Sequence, residues 1–419
     1  MSDRSLATKV IDSLRTGIPP QKGVRLFSVG HEKLIEGIDK YHLSGIEERG
    51  IIRFTSGSWG AGKTHFFRLL REVAFQHGCL VANVELNVNN AALNKFESIF
   101  RAIIRSVLTP SVGSPEGEVV PFQTVLRESL AYLATGGRSL PDDLSHEHYS
   151  KAKTALMSDH NIDIDFKKMA VKFWETFLPE SADPALVEQS RGEILQWFGG
   201  EAPLGMYRKT FGVNKIITKD NAKLMLQSLA GFTQLSGYKG LVILFDEAEQ
   251  SYSVMRRSAL RDAQNNLLSL INNIESLSGL FLIYATTPDF YTDPKHGIVT
   301  YGALSGRIGK PEERSPRALD NIWNLDAVVT NLADYQTAAR KIRDIYKMAY
   351  SVGDTKLPTD DQLNTFVAEL FRVHPSLSSV RFWRVLVSTV VTHLDDHLEG
   401  EVRSTEKLYD DVMDRLRED

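Results

Sequence analysis

Apolar runs that end in polar residues predict the strands of a parallel sheet. They lie at residues 50–56, 79–86, 240–245 and 280–288. The run at 240–245 shows no alternation of apolar and polar positions, as expected of a central parallel strand covered on both faces. It is followed by two acidic residues. We therefore expect an α/β fold with chemistry at the C-terminal edge of its sheet.

Helical spacing of apolar residues accounts for most of the remaining chain. It predicts helices at 2–15, 65–76, 94–108, 218–235 and 256–274. From residue 331 onward the pattern is wholly helical, with segments at 332–346, 360–373, 378–394 and 404–416. We predict two units, a core of residues 1–330 and a C-terminal helical domain of residues 331–419.

The stretch from about 109 to 217 contains helical segments but no predicted strand. A loop of that length is implausible inside a compact domain, so we expect a helical insertion with its own small core. The alternative is that its aromatic stripe forms a ligand surface. The residues of the stripe are Phe173, Trp174, Phe177, Ile194 and Trp197.

The turn after the first predicted strand has the spacing of a phosphate-binding P-loop. Its glycines let successive N–H groups point at phosphate oxygens, aided by the positive end of the following helix. Lys63 would then lie along the β- and γ-phosphates of ATP, and Thr64 would offer its hydroxyl to Mg²⁺. The alternative is a chance glycine-rich turn before a core helix. The predicted binding residues are Gly57, Ser58, Trp59, Gly60, Ala61, Gly62, Lys63, Thr64 and His65.

The predicted strand at 240–245 leads directly into Asp246 and Glu247. Beside a P-loop, Asp246 would hold Mg²⁺ through its water shell, and Glu247 would orient and deprotonate the attacking water. Glu249 adds a third carboxylate to which we assign no role. We also expect the indole of Trp59, which is larger than the residues usual in this loop, to lie close to bound phosphates or to the C-terminal helices.

The overall composition bears on the binding partners, the disulfides and the cellular location that we expect for this protein. The 419 residues are 42% hydrophobic and 24% charged, with a formal net charge of -4, so no global positive field attracts nucleic acid or anionic membrane. The single cysteine, Cys79, excludes an intrachain disulfide. No signal peptide or membrane span is evident, so we expect a soluble cytoplasmic protein that does not bind membranes.

A local positive bias around residues 208–223 is the best linear candidate for contact with duplex DNA. The alternative is an ordinary solvated helix face. The basic residues concerned are Arg208, Lys209, Lys215, Lys219 and Lys223.

Several of these features resemble P-loop ATPases of the AAA+ and STAND kinds. In those proteins a Gly-Arg-Glu-like turn before the P-loop strand closes over the adenine, and the segment that begins at Gly30 looks like a variant of it. The alternative is a packing helix with a glycine in its lead-in turn. The AAA+ resemblance also implies a sensor 1 side chain between the carboxylates and the γ-phosphate, for which either Thr286 or Thr287 could serve.

The C-terminal helices resemble the AAA+ lid. Arg381, or as second choice Arg384, has the placement of sensor 2. Arg307 follows the sensor 1 strand at the position where AAA+ proteins project an arginine into the γ-phosphate site of the next subunit. The alternative for Arg307 is a surface arginine paired with Glu312 or Glu313.

Most of the chain resembles one family, the BREX phage-defence ATP-binding proteins BrxC and BrxD, and its length is most like the shorter BrxD. The resemblance rests on residues 28–32, the P-loop, the lead-in 237–241, the acidic run 246–249 and the helical tail. It implies an ATP-hydrolysing AAA+ protein that uses Mg²⁺, forms homo-oligomers with ATP, and acts on duplex DNA or on other BREX proteins.

Two other functions fit the same residues. A nucleotide-gated scaffold would bind ATP and scarcely hydrolyse it, although it would not need the carboxylate of Glu247. An initiator of the origin-recognition or transposition type would add a DNA-binding appendage, for which the tail offers no helix-turn-helix signature.

Overall fold

The structure is a computed structural model of the chain. It describes residues 3–87, 91–110, 121–141, 144–179, 183–201, 204–248, 255–328, 330–374, 381–401 and 403–418.

A mixed α/β architecture with a six-stranded sheet confirms the predicted fold class at that level. The strand order is β3-β2-β4-β5-β1-β6, and every pair is parallel except β2 with β3. The short strands β3 and β6 were not predicted from the sequence. The strands are β1 Ile51–Ser56, β2 Leu80–Glu85, β3 Val107–Leu108, β4 Leu241–Asp246, β5 Leu280–Thr286 and β6 Ile322–Asn324.

Helices cover both faces of this sheet and form the C-terminal part of the chain. Those that precede β4 are α1 Asp3–Arg15, α2 Glu32–Ile38, α3 Lys63–Gln76, α4 Phe96–Ser106, α5 Pro121–Thr135, α6 His146–Ser158, α7 Ile164–Glu175, α8 Pro184–Phe198, α9 Leu204–Phe211 and α10 Ala222–Leu235. Those that follow β4 are α11 Arg257–Asn273, α12 Asp289–Thr292, α13 Gly302–Ile308, α14 Leu332–Tyr350, α15 Asp360–Val373, α16 Phe382–Glu399 and α17 Thr405–Glu418.

The helical insertion shares its core with the sheet. Trp174 and Trp197 belong to the same buried cluster as Phe245 and Leu280, so the expectation of a separate small core is wrong. The reason is that α4 packs on β2 at the apolar face of the sheet, and the insertion helices pack onto α4, α10 and β3, so that one cluster runs through all of them. The opposite face packs on α2 and α3 through a second cluster that includes Phe66.

The C-terminal helices α14 to α17 form a third apolar cluster with α1. Ala7, Val10, Ile11 and Leu14 of α1 are buried in it. The first helix therefore packs with the end of the chain, although the predicted division into 1–330 and 331–419 assigns it to the core unit. That division stays a prediction. Within the described residues, every helix is too short or too polar to cross a lipid bilayer.

Candidate functional site

The glycine-rich loop joins the end of β1 to the start of α3. Gly60 and Gly62 have φ angles of 76° and 89°, in the left-handed region that side chains rarely adopt. A Cβ atom on Gly57 would lie 2.9 Å from the Cβ atom of Ala61. The curl of this loop thus depends on glycine, as the phosphate-cradle interpretation requires.

The ammonium group of Lys63 lies across the start of the loop. Its Nζ donates hydrogen bonds to the carbonyl oxygens of Gly57, at 2.7 Å, and Ser58, at 3.4 Å. Lys63 is also the first residue of α3, where the helix leaves backbone N–H groups without helical partners. The lysine charge and the positive end of α3 therefore act at the same loop, which favours an anion there.

The sheet brings the acidic end of β4 to this loop. β5 lies between β1 and β4, so the loop and the acidic residues flank the C-terminal end of one strand. Thr64 Oγ1 is 3.5 Å from Asp246 Oδ2. Thr64 and Asp246, the two residues predicted to bind Mg²⁺, are thus in contact, although 182 positions separate them in sequence.

The carboxyl group of Asp246 is held in a partly buried position. Burial raises its pKa, while the hydrogen bond from the N–H of Glu247, at 3.0 Å, and the charge of Lys63 act in the opposite direction. Glu85, the register partner of Asp246 on β2, adds to the increase. A carboxylate in this setting gains stability from a nearby cation. Sequence reasoning missed Glu85, although the polar end of the predicted strand at 79–86 was a signal.

Glu247 has an unusual backbone conformation. Its φ of 58° is in the left-handed region, which costs a non-glycine residue on the order of 1 kcal/mol or more. Such strained backbone conformations are concentrated at active sites and switch regions. Glu249, which sequence reasoning left without a role, lies outside the described residues.

The two threonines proposed for sensor 1 differ in their surroundings. Thr286 is fully buried, and its hydroxyl donates to the carbonyl of Thr55 at 3.0 Å and is 2.8 Å from the hydroxyl of Tyr291. The Thr286 hydroxyl thus forms its hydrogen bonds with other groups of the protein interior. Thr287, which is also buried, directly follows β5 at the edge that carries the loop. Its role as sensor 1 stays a prediction.

The turn at Gly30 packs beside the end of the loop. Gly30 has a φ of 90°, and Ser28 Oγ lies 3.0 Å from Nε2 of His65, the residue after Thr64. Burial lowers the pKa of His65 to about 3, so this ring is neutral at physiological pH. Lys341 on α14 donates to the carbonyl of Ser28 at 2.9 Å and thereby links the turn to the C-terminal helices.

Of the two arginines proposed for sensor 2, only Arg381 reaches the loop. Its Nη2 donates to Ser58 Oγ at 2.6 Å and to Asp326 Oδ1 at 3.1 Å. Arg384 instead packs against Gly17, where a Cβ atom would lie 3.2 Å from the Arg384 Cγ. Sequence reasoning did not single out Asp326.

Arg307 is exposed on α13 and lies away from the loop of its own chain. It lines a cavity of about 280 Å³ beside the N-terminal half of β1, together with Arg49 and Arg53. Glu312, one proposed partner of Arg307, pairs instead with Arg314 at 2.7 Å. Among the described residues, Arg307 forms no ion pair.

A family model for the BREX system ATP-binding proteins BrxC/D matches residues 3–413. The chain belongs to this family. Its model covers both BrxC and BrxD and does not distinguish them. A comparison with curated proteins finds no match.

The loop of this BrxC/D protein fits the nucleotide that the family name implies. The curled backbone, the ammonium of Lys63 and the start of α3 can accept phosphates, and Thr64 with Asp246 offers the oxygen ligands that Mg²⁺ prefers. These features concern phosphates and a hard cation.

Among the large hydrophobic residues that the structure of this BrxC/D chain describes, Trp59 is the most exposed, with 71% of its surface accessible. Trp174, Trp197 and Trp323 are fully buried and Trp383 is half-buried. Iodide should therefore quench mainly Trp59. We expect ATP to reduce this quenching, because a ligand in the loop would cover the indole.

Trp59→Phe should abolish the effect of ATP on iodide quenching, whereas the control Trp383→Phe should preserve it. Steady-state fluorescence measures both. An ATP response of parental size in Trp59→Phe would show that another tryptophan reports and that Trp59 is not near bound nucleotide.

Two basic residues of the candidate DNA patch of the BrxC/D chain form contacts with other residues of the same chain. Lys215 pairs with Asp163 at 2.8 Å, and Lys223 donates to Ser269 at 2.9 Å. Exposed basic residues remain at Arg208, Lys209 and Lys219. Contact with DNA stays a proposal.

Proposed function

We propose that the protein hydrolyses ATP as an AAA+-type switch within a BREX defence system, and that it works as an oligomer on duplex DNA or on other BREX proteins. The observation that supports hydrolysis best is the placement of Glu247. It follows the partly buried Asp246 at the strand end beside Lys63 and Thr64, and its backbone adopts the left-handed conformation that is concentrated at functional sites.

Each residue of the site has a distinct role in the proposed reaction. The loop amides and Lys63 bind phosphates, and Thr64 with Asp246 would hold Mg²⁺, which supplies charge neutralisation when bound. Glu247 accepts a proton from the attacking water, and Thr287 orients that water from the neighbouring strand end. Arg381 contacts the loop from the C-terminal helices, and the turn at Gly30 closes over the base.

A nucleotide-gated scaffold is the main alternative, and phosphate release distinguishes it from a hydrolase. An initiator of the origin-recognition type is the other, and ATP-dependent retention of duplex DNA would favour it. We prefer hydrolysis because a scaffold has no need of a strained glutamate next to the magnesium ligand.

The trans-acting role of Arg307 provides a test of the oligomeric switch. Because Arg307 lies away from its own loop, it can reach phosphates only in a second copy of the chain. Specific phosphate-release activity should therefore rise with protein concentration. Arg307→Ala should bind ATP normally and lose at least about tenfold in hydrolysis, the scale of one charge-assisted hydrogen bond.

Mixing Arg307→Ala with Lys63→Ala should restore part of the hydrolysis, since an intact loop then meets an intact arginine across an interface. Arg314→Ala is the matched control, because Arg314 is already paired with Glu312 and Asp320. Activity that is independent of concentration, with no recovery on mixing, would exclude the trans-acting role.

A further inference from the structure

Asp326 holds together the loop and the arginine that reaches it. Its Oδ2 accepts a hydrogen bond from the backbone N–H of Ser58 at 2.8 Å, and its Oδ1 accepts one from the Ser58 hydroxyl at 2.6 Å. The same Oδ1 accepts a hydrogen bond from Arg381 Nη2 at 3.1 Å. One carboxylate thus binds both the second residue of the loop and the C-terminal helices.

The sheet fixes Asp326 in this place. Ser56 pairs with Asn324 in the parallel register of β1 and β6, so the residues two positions further along each chain, Ser58 and Asp326, face each other. Asn324 caps the short turn that carries Asp326 by accepting its N–H at 3.1 Å. The carboxylate therefore belongs to the rigid sheet edge, whereas Arg381 belongs to the C-terminal helices.

Arg381 crosses the loop to make this contact. A Cβ atom on Gly60 would lie 2.8 Å from the Arg381 Cγ, so the arginine stem rests directly on the loop backbone. Arg381 is the N-terminal flanking residue of α16 and makes no side-chain cap there. Its guanidinium is half-exposed, with 50% of the side chain accessible, and can exchange one anionic partner for another.

We propose that Asp326 is a positioning residue that competes with the terminal phosphate of ATP for Arg381. The inference rests on the proposed binding of ATP in the loop. Binding would require Arg381 to leave Asp326 for a phosphate oxygen, and because the two residues lie on different parts of the fold, the exchange would couple ATP to the position of the C-terminal helices. Asp326 thereby tunes affinity for ATP and the response of α16.

Asp326→Asn tests the competition. The amide oxygen can still accept from Ser58, but the negative charge that attracts Arg381 is removed. We expect the dissociation constant of ATP to fall about fivefold, the scale of a partly exposed ion pair. The dissociation constant of ADP should change by less than about twofold, since ADP lacks the terminal phosphate. Isothermal titration measures both.

A double-mutant cycle separates competition from direct repulsion. In an Arg381→Ala background, Asp326→Asn should no longer tighten ATP binding. Asp326→Glu, which keeps the charge, should bind ATP like the parent. Asp411→Asn removes the carboxylate of another 3.0 Å ion pair, with Arg403, and should change neither affinity.

Weaker or unchanged ATP binding by Asp326→Asn would overturn the inference, as would equal tightening for ADP or in the Arg381→Ala background. If Asp326→Asn does not fold, Asp326→Ser removes the same negative charge, keeps a hydroxyl that can accept from Ser58, and should likewise tighten ATP more than ADP; its failure to do so overturns the inference. A parent that binds neither nucleotide overturns the proposed function as well.

Discussion

Lys63→Ala should weaken ATP binding by about a hundredfold or more while the protein stays folded. The Lys63 ammonium lies at the loop, 2.7 Å from the carbonyl oxygen of Gly57. In the proposed site this ammonium would meet the β- and γ-phosphates, and alanine would leave the negative charge of the phosphates uncompensated in a partly desolvated cradle. Isothermal titration with ATP measures the loss, and thermal melting confirms the fold.

Lys407→Ala is the matched control. Lys407 is exposed on α17, so the same loss of one ammonium there should leave ATP affinity unchanged. ATP binding by Lys63→Ala with the affinity of the parent would contradict the identification of residues 57–64 as the phosphate site.

The long strands could be predicted because each is a continuous run of apolar residues, which indicates burial without any knowledge of distant contacts. The runs at 50–56, 79–86 and 280–288 contain the observed strands β1, β2 and β5, and the run at 240–245 matches β4 to within one residue at each end. The helix predicted at 360–373 is also observed, as α15, with a capping box between Thr359 and Gln362. Such signals depend only on neighbouring residues.

The short strands and the extent of the core could not be predicted in this way. β3 and β6 have two and three residues, too few for any periodicity, and pairing with β2 and β1 defines them. Periodicity likewise shows that a helix face is buried without showing what buries it. We therefore expected a separate core for the insertion helices, whereas their apolar side chains join the cluster on one face of the sheet.

In the candidate site, too, residues in short contiguous patterns could be predicted, and residues brought together only by the fold could not. The loop and the acidic pair are short contiguous patterns, so the sequence pointed to Lys63, Thr64, Asp246 and Glu247. Asp326 contacts Ser58 from 268 positions away, and only the register of β1 and β6 brings them together. The surroundings of Thr286 and Thr287 likewise required the structure, because the Thr286 hydroxyl lies near Thr55 and Tyr291, which are distant in sequence or beyond the strand. The choice between the two threonines for sensor 1 stays a prediction.

Glu247→Gln should lose hydrolysis by about a thousandfold while ATP binding is retained, as expected for removal of a general base. Glutamine has nearly the same shape and keeps a hydrogen-bonding oxygen, but it cannot accept the proton of the attacking water. The variant should therefore accumulate bound ATP. Glu406→Gln is the matched control, because Glu406 is an exposed acid on α17 and should leave hydrolysis unchanged.

The most direct test of an ATP-hydrolysing site is the rate of phosphate release from ATP already bound to the protein, measured in a single turnover with Mg²⁺. The parent should release phosphate, and Glu247→Gln should hold intact ATP with an affinity near that of the parent. Phosphate release by Glu247→Gln at the parental rate, or no release by the parent, would contradict the account.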